Sequence, residues 1–111
     1  MSIGKNLDFA LLLEVYGCML TKRQQELMEY YYWEDMSLGE ISENSGITRQ
    51  AVRDSIKRGE QAITELEEKL GLAVKISECR RVFNDISVLA QKNNNNLNQI
   101  LKLADEGKDI F

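Results

Sequence analysis

Apolar positions recur at three- and four-residue steps along almost the whole chain, and nowhere do they alternate as a half-buried strand would require. The first run is Leu7, Ala10, Leu11, Leu12, Leu13, Val15 and Tyr16, with Asn6 as its predicted cap and Gly17 at its end. It covers most of a helix circumference, so that helix is expected to be sandwiched between other elements. Thr21 and Gln24 form a capping box that opens a second helix, predicted through about Trp33, with Leu27, Met28, Tyr31 and Tyr32 turned inward. The aromatic run Tyr30 to Trp33 has faces that can stack on unpaired bases. Packing at the end of a small helical core is the preferred reading of it. Glu34, Asp35 and Met36 make a short connection.

The stretch Ser37 to Arg58, SLGEISENSGITRQAVRDSIKR, organises the rest. Ser37 and Glu40 are a second capping box, so a helix begins at Leu38 and presents Leu38 and Ile41 as its apolar face. Gly46 is the residue best able to take the left-handed conformation that ends such a helix and turns the chain. Ile47 points into the angle, and Thr48 has the side-chain oxygen of an N-cap for the next helix. That helix carries two stripes. Val52, Ile56, Gly59, Ile63, Leu66 and Leu70 form a seam to bury, while Arg49, Arg53 and Lys57 recur every four residues on another face, with Arg58 beside them. A short positioning helix, a tight turn and a cationic second helix make a helix-turn-helix, whose second helix offers groups to a nucleic-acid groove. Thr48, Gln50 and Ser55 add neutral donors and acceptors suited to phosphates or base edges. The alternative is that Arg49, Arg53 and Lys57 are simply the solvated face of an amphipathic helix; nucleic-acid contact is the preferred reading because the cations cluster on the first turns after the bend.

Past the helix stop Gly71, residues Leu72 to Ile76 are expected to lead into a further helix capped by Ser77, with Cys79, Val82, Phe83, Ile86, Leu89 and Ala90 as its stripe. Arg80 and Arg81 beside it either extend the basic surface or balance the acidic run Glu65, Glu67 and Glu68; balancing is the preferred reading. Asn93 to Asn96 reads as a loop. Leu97, Ile100, Leu101 and Ala104 give a last helix ending before Gly107, and Asp109, Ile110 and Phe111 a loose tail. The chain is thus expected to be all-α, a single domain over 1–111 with a helix-turn-helix unit at 20–70 and a C-terminal helical extension at 72–106. The seam from Cys79 to Ala90 exceeds what a three-helix core needs: it either packs on the N-terminal helix of the same chain or pairs with a second copy, and because the first helix is also apolar on several sides a homodimer is the preferred reading.

Charge sharpens this picture. From Thr48 to Arg58 four cations face the single acid Asp54, a balance of +3 in a chain of 111 residues at −4, which leaves −7 elsewhere. A chain so acidic does not coat nucleic acid indiscriminately; its contacts must be local and selective. No apolar run approaches the roughly 20 residues of a membrane span, and no cleavable leader pattern follows Lys5 and Asp8, so a cytoplasmic protein is expected. Cys18 and Cys79 lie far apart at apolar-periodic positions, as two buried thiols. Histidine is absent, and there is neither a glycine-rich phosphate loop nor zinc-type cysteine spacing. No enzyme activity, metal or cofactor is expected.

The run from Leu20 to Leu70 resembles region 4 of bacterial sigma factors, with LTKRQ at the entrance, SLGEIS on the positioning helix, GIT at the turn and AVR on the second helix. The resemblance makes Arg49, Gln50, Arg53, Lys57 and Arg58 the residues facing nucleic acid. Ser42 departs from the alanine usual there, and nothing corresponds to the sigma regions that bind −10 elements or core polymerase, so the chain is not a complete sigma factor. With the leading LLLEVYGCMLT and the helical extension included, the chain is similar to the small YlxM family of Gram-positive bacteria, encoded beside the signal recognition particle (SRP) GTPase gene. That similarity implies a regulatory role in the SRP pathway, with DNA or structured RNA and SRP components as partners. The alternative is a module that docks on the SRP GTPase without reading nucleic acid.

Overall fold

The computed structural model describes residues 8–92 and 96–111, and these hold six α-helices and no strand. They are α1 (Phe9–Tyr16), α2 (Lys22–Tyr32), α3 (Leu38–Ser45), α4 (Arg49–Leu70), α5 (Leu72–Gln91) and α6 (Leu97–Lys108), with a 3₁₀ turn at Gly17–Met19 after α1. The predicted cap Asn6 and first apolar residue Leu7 lie outside the described residues. Within them, the Asp8 carboxylate caps α1 by accepting from the Ala10 N–H at 2.9 Å. The chain falls into two compact units, Met1–Gly71 and Leu72–Phe111.

In the first unit α4 packs against α1, α2 and α3. Leu12, Leu13 and Tyr16 of α1, Leu27 and Met28 of α2, Ile41 of α3 and Val52, Ile56 and Ile63 of α4 are all buried. Gly59 is the gap through which this packing closes: a Cβ there would stand 2.3 Å from the Met28 sulfur. The predicted seam ends differently. Leu66 is half-buried and Leu70 is 51% exposed, while Glu67 between them is buried and accepts from the Tyr16 hydroxyl at 2.5 Å. The apolar period runs past the bundle at this point, and a polar pair takes the last inward-facing position of α4.

The aromatic run makes contacts within its own unit, although Trp33 stays 50% exposed. Tyr32 lies on Phe9 with ring centroids 5.5 Å apart, Tyr31 meets Tyr32 edge-on at 5.0 Å, and the Trp33 indole N–H donates to the Ala10 carbonyl at 3.2 Å. Tyr31, expected inside, remains on the surface. The Tyr32 hydroxyl donates to Glu60 of α4, and burial first, then that bond and the Glu60 charge, pushes its ionisation well above the ordinary tyrosine range.

The second unit pairs α5 with α6. Helix α5 starts at Leu72, directly after Gly71 in the left-handed region (φ 63°), so Ser77 is an exposed residue inside the helix and not its cap. A glycine at that φ turns the chain within one residue, which leaves no lead-in segment to cap. Nor does Gly107 stop the last helix. It is part of α6, half-buried, and a Cβ there would be 3.3 Å from Val82, so the missing side chain serves close helix packing instead. Of the predicted loop only Asn96 is described: its amide donates to the Leu89 carbonyl at 2.9 Å. In the tail the Lys75 ammonium sits 5.8 Å from the centre of the Phe111 ring, which stays 71% exposed. Both thiols are free, but Cys18 is exposed rather than buried, lying on the 3₁₀ turn instead of on the apolar face of a helix.

Candidate nucleic-acid interface

The turn before α4 is built from three local devices. Gly46 ends α3 at φ 72°, its N–H bonded to the Ser42 carbonyl at 3.0 Å. The Ser42 hydroxyl donates across the bend to the Ile47 carbonyl at 2.5 Å. The serine that replaces the usual alanine therefore pins the turn. Thr48, in extended conformation, accepts from the Ala51 N–H at 3.0 Å and starts α4. Upstream, Ser37 and Glu40 complete the capping box of α3 in both directions, 3.1 and 3.0 Å, and the Ser37 N–H holds the Glu40 carboxyl below its ordinary ionisation range.

On this frame Thr48, Arg49, Gln50, Arg53, Lys57 and Arg58 are all exposed. At roughly 100° per residue, Arg49, Arg53 and Lys57 follow one slowly turning line and Gln50 stands beside it. Arg58 lies about 100° beyond Lys57, on the flank of that line. None of the four cations is in an ion pair among the described residues. Arg49 is not fully extended: its guanidinium lies over Gly39 of α3, where a Cβ would be 2.9 Å from it. Arg53 and Lys57 overhang a hollow of about 220 Å³ whose floor includes Tyr31, Leu38 and Ile56. Ser55 is half-buried, turned away from the cationic line.

Two features lay outside the expected set. Asp54 accepts from the Gln50 amide at 2.9 Å, so the single acid of the band already engages one of its polar groups. Four-residue spacing of Gln50 and Asp54 was the available signal. Tyr31 joins the hollow below the cations, and no local pattern separates it from its inward-facing neighbours. Arg81, a candidate extension of the basic surface, is instead engaged within the second unit by Glu106 and by Asp85 at 3.3 Å, and Glu106 chiefly raises its pKa further.

Residues 3–104 match the model of the family described as "Putative helix-turn-helix protein, YlxM / p13 like". The chain belongs to this family. Among its relatives is the UPF0122 protein YlxM of Bacillus subtilis (strain 168), 42% identical over 90 residues, which are 81% of this chain and 82% of that one. A UPF0122 protein of Desulforamulus reducens is 57% identical over 68 residues, 61% of this chain and 58% of its own length. The protein lwe1821 of Listeria welshimeri is 35% identical over 100 residues, covering 90% and 91% of the two chains. The family is a helix-turn-helix family, and its description names no catalytic activity. No helix among the described residues is long and apolar enough to cross a membrane.

Proposed function

We propose that the chain is a regulatory nucleic-acid-binding protein that presents the first turns of α4 to a duplex groove. The observation that carries this is the set of exposed cations Arg49, Arg53, Lys57 and Arg58, unpaired among the described residues and gathered next to a pinned turn in an otherwise acidic chain. Within this reading Arg53, Lys57 and Arg58 meet phosphates. Gln50 and Arg49 reach base edges, and Thr48 lies by the backbone at the helix start. B-form DNA has a major groove that admits such a helix, and A-form RNA has one too deep and narrow for it, so DNA or a widened, irregular RNA groove is the expected ligand. Two copies acting together would place two such helices on paired half-sites. The family resemblance adds a link to the SRP pathway in the cytoplasm.

Binding of labelled duplex DNA and of structured RNA by Arg53→Ala/Lys57→Ala tests the reading. The variant should keep its helix content and lose affinity, with the slope of log K against log salt falling by about one unit for each phosphate contact removed. Parental binding to every ligand by that variant overturns it.

A second reading is favoured by the other half of α4. There Glu60, Glu65 and Glu68 line a hollow of about 460 Å³ with Phe9, Gln61 and Thr64, Lys57 being the one cation at its edge, a place where a basic protein surface such as one on the SRP GTPase can dock by complementary charge. Association with purified GTPase that survives nuclease treatment supports this second reading, and its loss supports the first.

A further inference from the structure

The second unit is a pair of helices of 20 and 12 residues in which only Ala73 and Val82 are buried. Two helices alone cannot enclose a core, and the two long sides of this pair differ. One side carries ions: Arg81, Asp85 and Glu106 join α5 to α6 there. On the other, Phe83 is 68% exposed, Leu97 61% and Leu101 53%. Helical phasing puts Phe83 and Ala90 of α5, and Leu97, Leu101 and Ala104 of α6, along that second side, with half-buried Ile86 between them. A hollow of about 330 Å³ runs beside Phe83, floored by Val82, Ile86, Ala104 and Gly107, and Lys108 is the one charged residue on its rim.

We propose that this face is where a second copy of the chain docks, each Phe83 entering the hollow of its partner about a two-fold axis. The proposal deepens the two-copy part of the function proposed above by naming the surface that joins the copies. Three observations select a second copy. The face is nearly free of charge, as the cores of homodimer interfaces are, and so offers a differently charged partner nothing to recognise. It bears both a protruding ring and, beside it, a hollow with room for such a ring, the pairing a self-complementary two-fold contact uses. Charge also favours this unit over the other: residues 72–111 carry six cations and five acids, near neutrality at +1, whereas the remainder stands at −5 and repels its own copy. The area suffices. At 1.5 Å rise and ~10 Å width per helix the face offers on the order of 500 Å² per partner, or about 1,000 Å² in all, where specific interfaces begin.

Analytical ultracentrifugation of the full chain, in reductant and without nucleic acid, tests this. Wild type should sediment at twice the chain mass. Phe83→Glu/Leu101→Glu should sediment as a monomer with unchanged helix content, and Phe83→Ala, a milder change that keeps the fold, should weaken self-association by about tenfold or more. Val88→Glu, in the separate hollow with Asp85, Leu89 and Leu103, should remain a dimer. A monomeric wild type overturns the dimer itself and this face with it. A wild-type dimer that Phe83→Ala leaves unchanged overturns the face alone. Neither result bears on the cations of α4, whose test is nucleic-acid binding.

Discussion

Asp54 and Gly59 lie on the same helix and show how one side chain can restrain an interface or let a core close. Asp54 holds the Gln50 amide and places a negative charge within the cationic band. Asp54→Asn keeps an acceptor for that amide while removing the charge. It should raise affinity for duplex DNA about threefold at moderate salt, the effect of a screened surface charge worth ~0.7 kcal/mol; fluorescence anisotropy titration would read it. Gly59 has no such freedom. Its absent Cβ is the space occupied by the Met28 sulfur, which is buried and must move for any larger residue. Helix propensity favours alanine by up to ~1 kcal/mol, but overpacking costs about 1–3 kcal/mol. Gly59→Ala should therefore lower the urea midpoint, with the slope of the transition unchanged.

Among elements, α3 is short enough to depend on its ends. With eight residues it gains little from propensity, so the Ser37–Glu40 box and the left-handed Gly46 define it. Ser37→Ala should cost about 1 kcal/mol of unfolding free energy at neutral pH. The Glu40 half of the box is pH-dependent. Its carboxyl ionises below the ordinary value of 4.5 because the Ser37 N–H bonds its charged form. That stabilisation is complete above the unfolded value and disappears as pH falls through the lower folded one. Urea midpoints of wild type and Glu40→Gln, which differ at neutral pH by the charged half of the box, should accordingly converge on acidification below about pH 4.5. The helix ends also show what a sequence reveals and what it hides. Thr21, Ser37, Gly46 and Thr48 could be read in advance because each acts on a backbone group no more than four residues away. Gly107 misled for a related reason: a glycine near a helix end resembles a terminator, and its real neighbour, Val82, is distant in sequence.

Across the whole molecule, the all-α composition and the helix-turn-helix were legible, because both follow from short-range periodicity and caps. The Tyr16–Glu67 hydrogen bond was not, since a buried glutamate looks like one more member of an acidic run until a tyrosine 51 positions away supplies a proton. The candidate site was legible to the same depth. The four cations could be named from their spacing, whereas the Arg49 guanidinium lying on Gly39 and the hollow under Arg53 depend on how α3 and α2 approach α4. The contacts of Arg81 likewise lie where helices meet.

The Ser42 hydroxyl closing onto the Ile47 carbonyl has a kinetic consequence. Under the proposed function, a bend held by this hydrogen bond presents α4 to a polyanion as a preformed rod. Its capture should be set by electrostatic steering and should slow steeply with ionic strength, with no lag from a conformational step.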